Sequence, residues 1–253
     1  MFRTVQPIVW AFDCEWVPDA AAGRRLLGLP HDLPEADVFD AMWRAAGATS
    51  EQPRPYLKTV LCRIVSIAVL ERRTFADGSV RLHLCSLPKR PEDRESDLLL
   101  SFFGGLAKRR PQLVGYNSRS ADLTALVQRG VALGLTAPGL CERPERPWEG
   151  PDYFHPYSEW HIDLMRLFGG RGATCPSLKE LALAAGIPAK LHGNSHATSG
   201  ADVADLWLRG EHEVIRRYNE IDALTTYLLW LRTAHFAGCF SPQAYVEAPP
   251  GPS

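Results

Sequence analysis

The chain has no Cys-x-x-Cys pair, no His-Glu-x-x-His, no apolar run of bilayer-spanning length and no excess of charge of either sign. Each absence removes a class of protein. The six cysteines, at 14, 62, 85, 141, 175 and 239, lack framework spacing, which speaks against a zinc ribbon or a disulfide scaffold and leaves buried, reduced thiols packing as small apolar residues. The eight histidines form no metalloprotease pattern. A membrane span needs about 20 consecutive apolar residues, and the start, Met1-Phe-Arg-Thr4, lacks the charged, apolar, small-residue order of a secretory signal. No membrane contact is therefore expected, and a cytoplasmic location is the default. The formal net charge is −1, so the whole-chain balance does not announce a polyanion binder. Bound cations would, however, add positive charge that a residue count omits. No internal repeat divides the 253 residues, and 45% hydrophobic with 23% charged content suits a soluble chain that buries a sizeable core.

What is present begins with an apolar run, Pro7 to Phe12, whose β-branched and aromatic content predicts a buried strand near residues 5–15. An insertion from about 17 to 58 follows, where Val38, Met42 and Ala45 keep helical spacing, predicting a short helical excursion rather than a separate domain. Strands are expected near Leu61–Leu70 and Val80–Ser86, joined by a turn at Asp77-Gly78. A helix near Glu92–Arg109, a short strand Gln112–Tyr116 and a helix near Ser120–Leu133 come next, an order compatible with a mixed sheet flanked by helices. The proline-rich stretch Ala137–Tyr157 predicts an irregular surface loop. Ser177-x-x-Glu180 fits a capping box, with Gly186-Ile-Pro188 closing that helix. Leu191–Gly200 predicts a mobile loop, Glu211 to about Phe236 a long helix, and 241–253 a flexible proline-rich tail.

Three acidic patches carry the chemistry: Asp13 and Glu15 in AFDCEW, Asp122 in VGYNSRSADL, and Tyr218 with Asp222 in RYNEID. Residues two apart on a strand share a face, so Asp13 and Glu15 project side by side while Cys14 turns into packing. Residues four apart on a helix stack one turn apart, so Tyr218 and Asp222 face the same place. Four carboxylates gathered in a core would repel one another and be costly to desolvate unless divalent cations neutralise them. Read together, Asp13, Glu15, Asp122 and Asp222 are a ligand set for two Mg²⁺ or Mn²⁺ ions. Each patch alone has a plainer reading: a solvated turn, an acid favoured by a helix dipole, or a chance spacing on an amphipathic helix. The ordered set with its flanks carries the specificity.

With those residues in place, the chain resembles the DEDD-type 3′→5′ exonucleases of RNase H-like fold, in the variant whose third motif carries tyrosine. Within that group it looks most like the predicted 3′→5′ exonucleases related to the proofreading domain of family-B DNA polymerases. The match is Asp-x-Glu at 13 and 15, Asp122 after Gly115-Tyr-Asn117, and Tyr-x-x-x-Asp at 218 and 222, with LPEADVFDAM, HIDLMRLFG and SLKELALAAGIPAK as supporting stretches. The resemblance implies one α/β domain over 1–240, an RNase H-like mixed sheet flanked by helices. It also implies hydrolysis of phosphodiester bonds from the 3′ end of a single-stranded nucleic acid, with DNA favoured and protein partners unspecified. In that scheme Asp13 bridges the two ions, and Glu15, Asp122 and Asp222 complete their shells. Tyr218 orients the attacking water, because a phenol of free pKa about 10 is a poor proton acceptor at neutral pH. Asn117 lies near the substrate strand. Trp16 and Ala121 stand where relatives often carry Thr and Phe; Trp16 is expected either to stack on a base, worth roughly 1–3 kcal/mol, or to join the core. Arg216 and Arg217, within a turn of Tyr218, are within range of a phosphate, whereas His161 and Asp163 read as hydrogen-bonding members of the fold. Two other classes share the residues: a catalytically weak nucleic-acid-binding module of the same fold, and a hydrolase of small phosphodiesters or nucleotides.

Overall fold

The computed structural model describes residues 2–146, 148–169, 175–187 and 200–240. The first strand, β1 (Ile8–Pro18), is the centre of the sheet, and its side chains alternate between two apolar clusters. Trp10, Phe12 and Cys14 enter one cluster, and Val9 and Ala11 the other. Burial on both faces accounts for the near-continuous apolar run. The strand runs to Pro18, past the expected end at 15, because it stays paired antiparallel with β2 (Cys62–Thr74) from Ile8 opposite Arg73 to Pro18 opposite Cys62. A bulge shifts the register between Glu15 and Trp16. β2 returns antiparallel as β3 (Val80–Leu87) through a turn in which Gly78 takes φ 83°, a conformation glycine reaches without strain.

On the other side of β1, β4 (Gln112–Gly115) and β5 (His161–Asp163) add in parallel, giving the order β3-β2-β1-β4-β5. Helices α1 (Ala20–Leu27) and α2 (Glu35–Ala45) form the insertion. α3 (Glu95–Arg109) and α4 (Asp122–Ala132) cover one face of the sheet through Leu99, Phe102, Leu106 and Leu126. After α5 (Pro138–Cys141), α6 (Leu164–Phe168), α7 (Leu178–Ala184) and α8 (Gly200–Leu208), the long helix α9 (His212–Phe236) covers the other face through Tyr227, Trp230 and Ala234. The insertion has no isolated core: Val38, Phe39 and Met42 of α2 pack with Val17 of β1, Cys62 of β2, and Val203 and Leu206 of α8. This is the mixed, helix-flanked sheet of an RNase H-like α/β fold.

Several boundaries differ from the sequence pattern. α3 begins at Glu95, where Asp97 closes the first turn onto the Arg94 backbone, and α4 begins at Asp122 rather than Ser120. Ala45 is exposed, its expected place being taken by Phe39 and Trp43. The stretch from 137 to 157 is irregular but not all surface: Tyr153 is fully buried and its hydroxyl donates to the Pro111 carbonyl at 3.0 Å. The capping box at Ser177 and Glu180 is formed. Residues 191–199 of the expected mobile loop, and the tail from 241, lie outside the described residues. No helix among the described residues is long and apolar enough to cross a membrane.

Candidate active site

The site forms where β1 runs past the end of β4. β4 pairs with β1 only as far as Ala11 opposite Val114, and beyond that the chain turns away through residues 116–121 to start α4. The turn is tight. A β-carbon at Gly115 would stand 2.3 Å from both Cβ and Oγ of Ser118, so only glycine fits there. Asn117 takes φ 59°, a left-handed conformation that asparagine tolerates. Asp163, at the end of β5, holds this turn by accepting the backbone N–H groups of Asn117 at 2.9 Å and Arg119 at 3.0 Å. Below it, His161 is buried, with Nδ1 3.1 Å from the Tyr153 carbonyl and Nε2 2.9 Å from Ser118 Oγ. A carbonyl only accepts, so Nδ1 carries the proton and Ser118 donates to Nε2. Burial, followed by the Arg119 charge, pushes the His161 pKa down to about 3, which keeps the ring neutral. His161 and Asp163 thus position the second motif.

Asp13 and Glu15 project from β1 towards α9, as their spacing predicts, and meet Asp222 there. One carboxylate oxygen from each of the three lies within 4.8 Å of the others. Glu15 is 8% exposed. Tyr218, one turn before Asp222 on α9, hydrogen-bonds to it, and its ring packs beside the α2–α8 cluster. Burial first, then the charges of Asp222, Glu15 and Asp13, raise the phenol's pKa well above its ordinary value. Tyr218 therefore stays a neutral hydrogen-bonding group at any physiological pH.

Asp122 takes a different place. It lines the same cleft, 3% exposed, but outside the three-carboxylate group, with Oδ1 accepting the backbone N–H of Cys14 at 2.9 Å. That N–H belongs to the part of β1 beyond the paired length of β4, so the carboxyl at the start of α4 occupies a position in the ladder. Burial, only partly offset by the Cys14 and Asp122 N–H groups and reinforced by Asp163, pushes its pKa up to about 7. No local pattern signals this bond, since it joins residues 108 apart.

The cleft, about 700 Å³, is lined by these acids and by Trp16, Asn117, Ala121 and residues of the insertion. Trp16 is half-buried: it packs against two core clusters and also forms part of the cleft wall. Arg216 is committed elsewhere, to Glu213, Glu220 and Ser86. Arg217 is exposed and 4.0 Å from Glu213. Asn219, fully buried beside Tyr218, was not singled out from the sequence; neither of its amide atoms has a hydrogen-bond partner among the described residues.

The donor set can be tested against a metal. Three carboxylates in mutual reach are hard oxygen ligands of the kind Mg²⁺ and Mn²⁺ take. Cys14 turns into the core cluster on the opposite face of β1 and Cys62 packs in the α2–α8 cluster, so the donors that converge are oxygens. The residues fit divalent cations bound through oxygen.

Against this geometry, the sequence model of the family described as "Predicted 3'-5' exonuclease related to the exonuclease domain of PolB" matches residues 54–249. The chain belongs to that family. The matched stretch holds Asp122, Tyr218 and Asp222 and starts after Asp13 and Glu15. The fold of the chain is similar to that of the family B DNA polymerase from the hyperthermophilic archaeon Pyrobaculum calidifontis, with a TM-score of 0.53 and 18% identity over 91% of the chain. The chain spans 25% of that polymerase's length. No curated protein matches it in sequence.

Proposed function

We propose that this chain is a two-metal-dependent 3′→5′ exonuclease that hydrolyses phosphodiester bonds from the 3′ end of a single-stranded nucleic acid, with DNA favoured over RNA. The observation that carries the proposal is the convergence of Asp13, Glu15 and Asp222 within 4.8 Å, with the Tyr218 hydroxyl on Asp222, inside a cleft of strand-holding size. Asp13, Glu15 and Asp222 would hold the cations, and Asp122, ionising as they bind, would join from the cleft wall. When bound, divalent cations supply the activation of water and the stabilisation of the leaving 3′ oxygen. The protein's own part is orientation. Tyr218, uncharged, aligns the attacking water by hydrogen bonding, and the stiff pairing of β1 fixes where Asp13 and Glu15 point. Asn117, held on the cleft wall by its backbone bond to Asp163, faces the strand.

The test is a 5′-labelled single strand of DNA or RNA incubated with Mg²⁺, Mn²⁺ or chelator. A descending ladder that chelator abolishes is expected. A single internal cut, immediate release of the 5′ label, or strand binding without products would contradict the proposal.

A further inference from the structure

The carboxylates occupy only part of the cleft lining; another part comes from the insertion, as Trp43 of α2 and the segment from Gln52 to Leu57. That segment is anchored at both ends. The Arg54 guanidinium pairs with Asp205 of α8 and lies 5.2 Å over the Trp43 ring, while Leu57 is buried in the α2–α8 cluster. Between these anchors sits Tyr56, 71% exposed. Other large apolar side chains are exposed on the surface, but among the described residues Tyr56 alone of them lines this cleft. The other aromatic groups there are committed: Trp43 is 7% exposed, Trp16 packs against two clusters, and the Tyr116 hydroxyl is held by the Pro176 carbonyl. No ring or guanidinium stacks on Tyr56 among the described residues. Its hydroxyl is close enough to the site for its pKa to be raised, by burial first and then by Cys62 and Asp122.

An uncovered aromatic ring on a segment anchored on both sides, set in a cleft with metal-type carboxylates, matches the stacking platforms by which single strands are gripped without sequence preference. We infer that Tyr56 stacks on one base near the 3′ end of the substrate strand, so that the insertion, rather than the motif residues, supplies the grip on the bases. This rests on the exonuclease reading for its substrate class. It predicts tolerance of all four bases at the stacked position and a loss where the base is missing.

The experiment measures binding of labelled single-stranded DNA in Ca²⁺ by anisotropy, and KM in Mg²⁺, for the full chain and for Tyr56→Ala, Tyr56→Phe and Tyr56→Trp. The strands are intact or carry one abasic site at each of the last four nucleotides. Tyr56→Ala should raise Kd and KM about 10-fold, while Tyr56→Phe and Tyr56→Trp stay near the parent. In the parent, one abasic position should show a loss of the same size, and that loss should vanish in Tyr56→Ala. Unchanged Kd in Tyr56→Ala, or abasic losses that are equal in parent and variant, overturn the inference. If the parent binds strands but does not shorten them from the 3′ end, the exonuclease reading fails while the Kd comparison still decides Tyr56. A parent that binds no strand overturns both.

Discussion

Tyr218 has a hydroxyl among three carboxylates, and a ring that packs beside the α2–α8 cluster. The two parts separate experimentally. Tyr218→Phe keeps the ring and removes the donor, so the melting temperature should change little while turnover falls about 10²-fold, with KM moving much less. Single-turnover and steady-state rates on the same strand check this, and parental kcat in Tyr218→Phe would make the residue a packing aromatic. Asp122 offers a prediction without catalysis. Its carboxyl has a folded pKa of about 7 against an ordinary 3.8, so the protonated form favours the fold. That contribution is complete below about pH 4 and is lost as pH rises through 7. His161 works in the opposite sense: with its pKa held near 3 against 6.5, the fold loses stability as pH falls below 6.5. The comparison of Asp122→Asn with the parent, both metal-free, isolates Asp122, because both proteins share His161 and asparagine can still accept the Cys14 N–H. The variant should melt with the parent at pH 4 and several degrees higher at pH 8, at about 2–4 °C per kcal/mol for a domain of this size. Equal melting at both pH values would contradict the buried, reluctantly ionised carboxyl.

The elements around the site are tied by a buried ion-pair triad. Arg129 of α4 reaches Asp19, the N-cap of α1, at 2.8 Å, and Glu95, at the start of α3, at 2.6 Å. Glu95 also accepts the Ile64 N–H of β2 at 2.8 Å. Burial opposes the Asp19 charge, but the Ala22 N–H, Arg129 and the Ala21 N–H outweigh it and hold the carboxyl below its usual range. Arg129→Ala leaves two carboxylates buried and facing each other, so it should lower stability by about 3–5 kcal/mol at pH 7. The loss should shrink as pH drops below 4, where the parent gives up the Asp19 contribution as well. Urea unfolding at pH 7 and pH 3.5 checks both parts. The elements differ in how far their own sequences revealed them. β1 was legible as an apolar run rich in β-branched and aromatic residues and α9 as a long helical stretch, and the two geometries repeat with periods of two and of about 3.6. Asp13, Glu15, Tyr218 and Asp222 followed from those periods, since spacing along an element fixes which side chains share a face. β5 was not legible, because three residues, His161–Asp163, carry too little pattern and owe their strand form to pairing with β4. The burial of Tyr153 and the Asp122 to Cys14 bond were hidden for the same reason: each depends on partners far away in the chain.

At the scale of the whole molecule, three apolar clusters meet along one strand. Phe12 and Cys14 belong to the first, Val9 and Ala11 to the second, and Val17 to the third. Asp13 and Glu15 therefore hang from a strand packed on both faces, and their geometry is set by packing that does not depend on them. A net charge of −1 conceals the arrangement, because Asp13, Glu15, Asp122 and Asp222 line the cleft beside a single arginine, Arg54, which pairs with Asp205. Removing a site carboxylate should leave the metal-free fold intact, with an equal or higher melting temperature, since repulsion is relieved together with the loss of a ligand. The most direct test of the central claim is the rate at which Asp13→Ala shortens a 5′-labelled single-stranded DNA in saturating Mg²⁺, beside the parent. The account predicts a descending ladder from the parent and a rate lower by about 10³-fold or more in the variant, the scale of several kcal/mol of transition-state stabilisation. A parental rate in Asp13→Ala would contradict it.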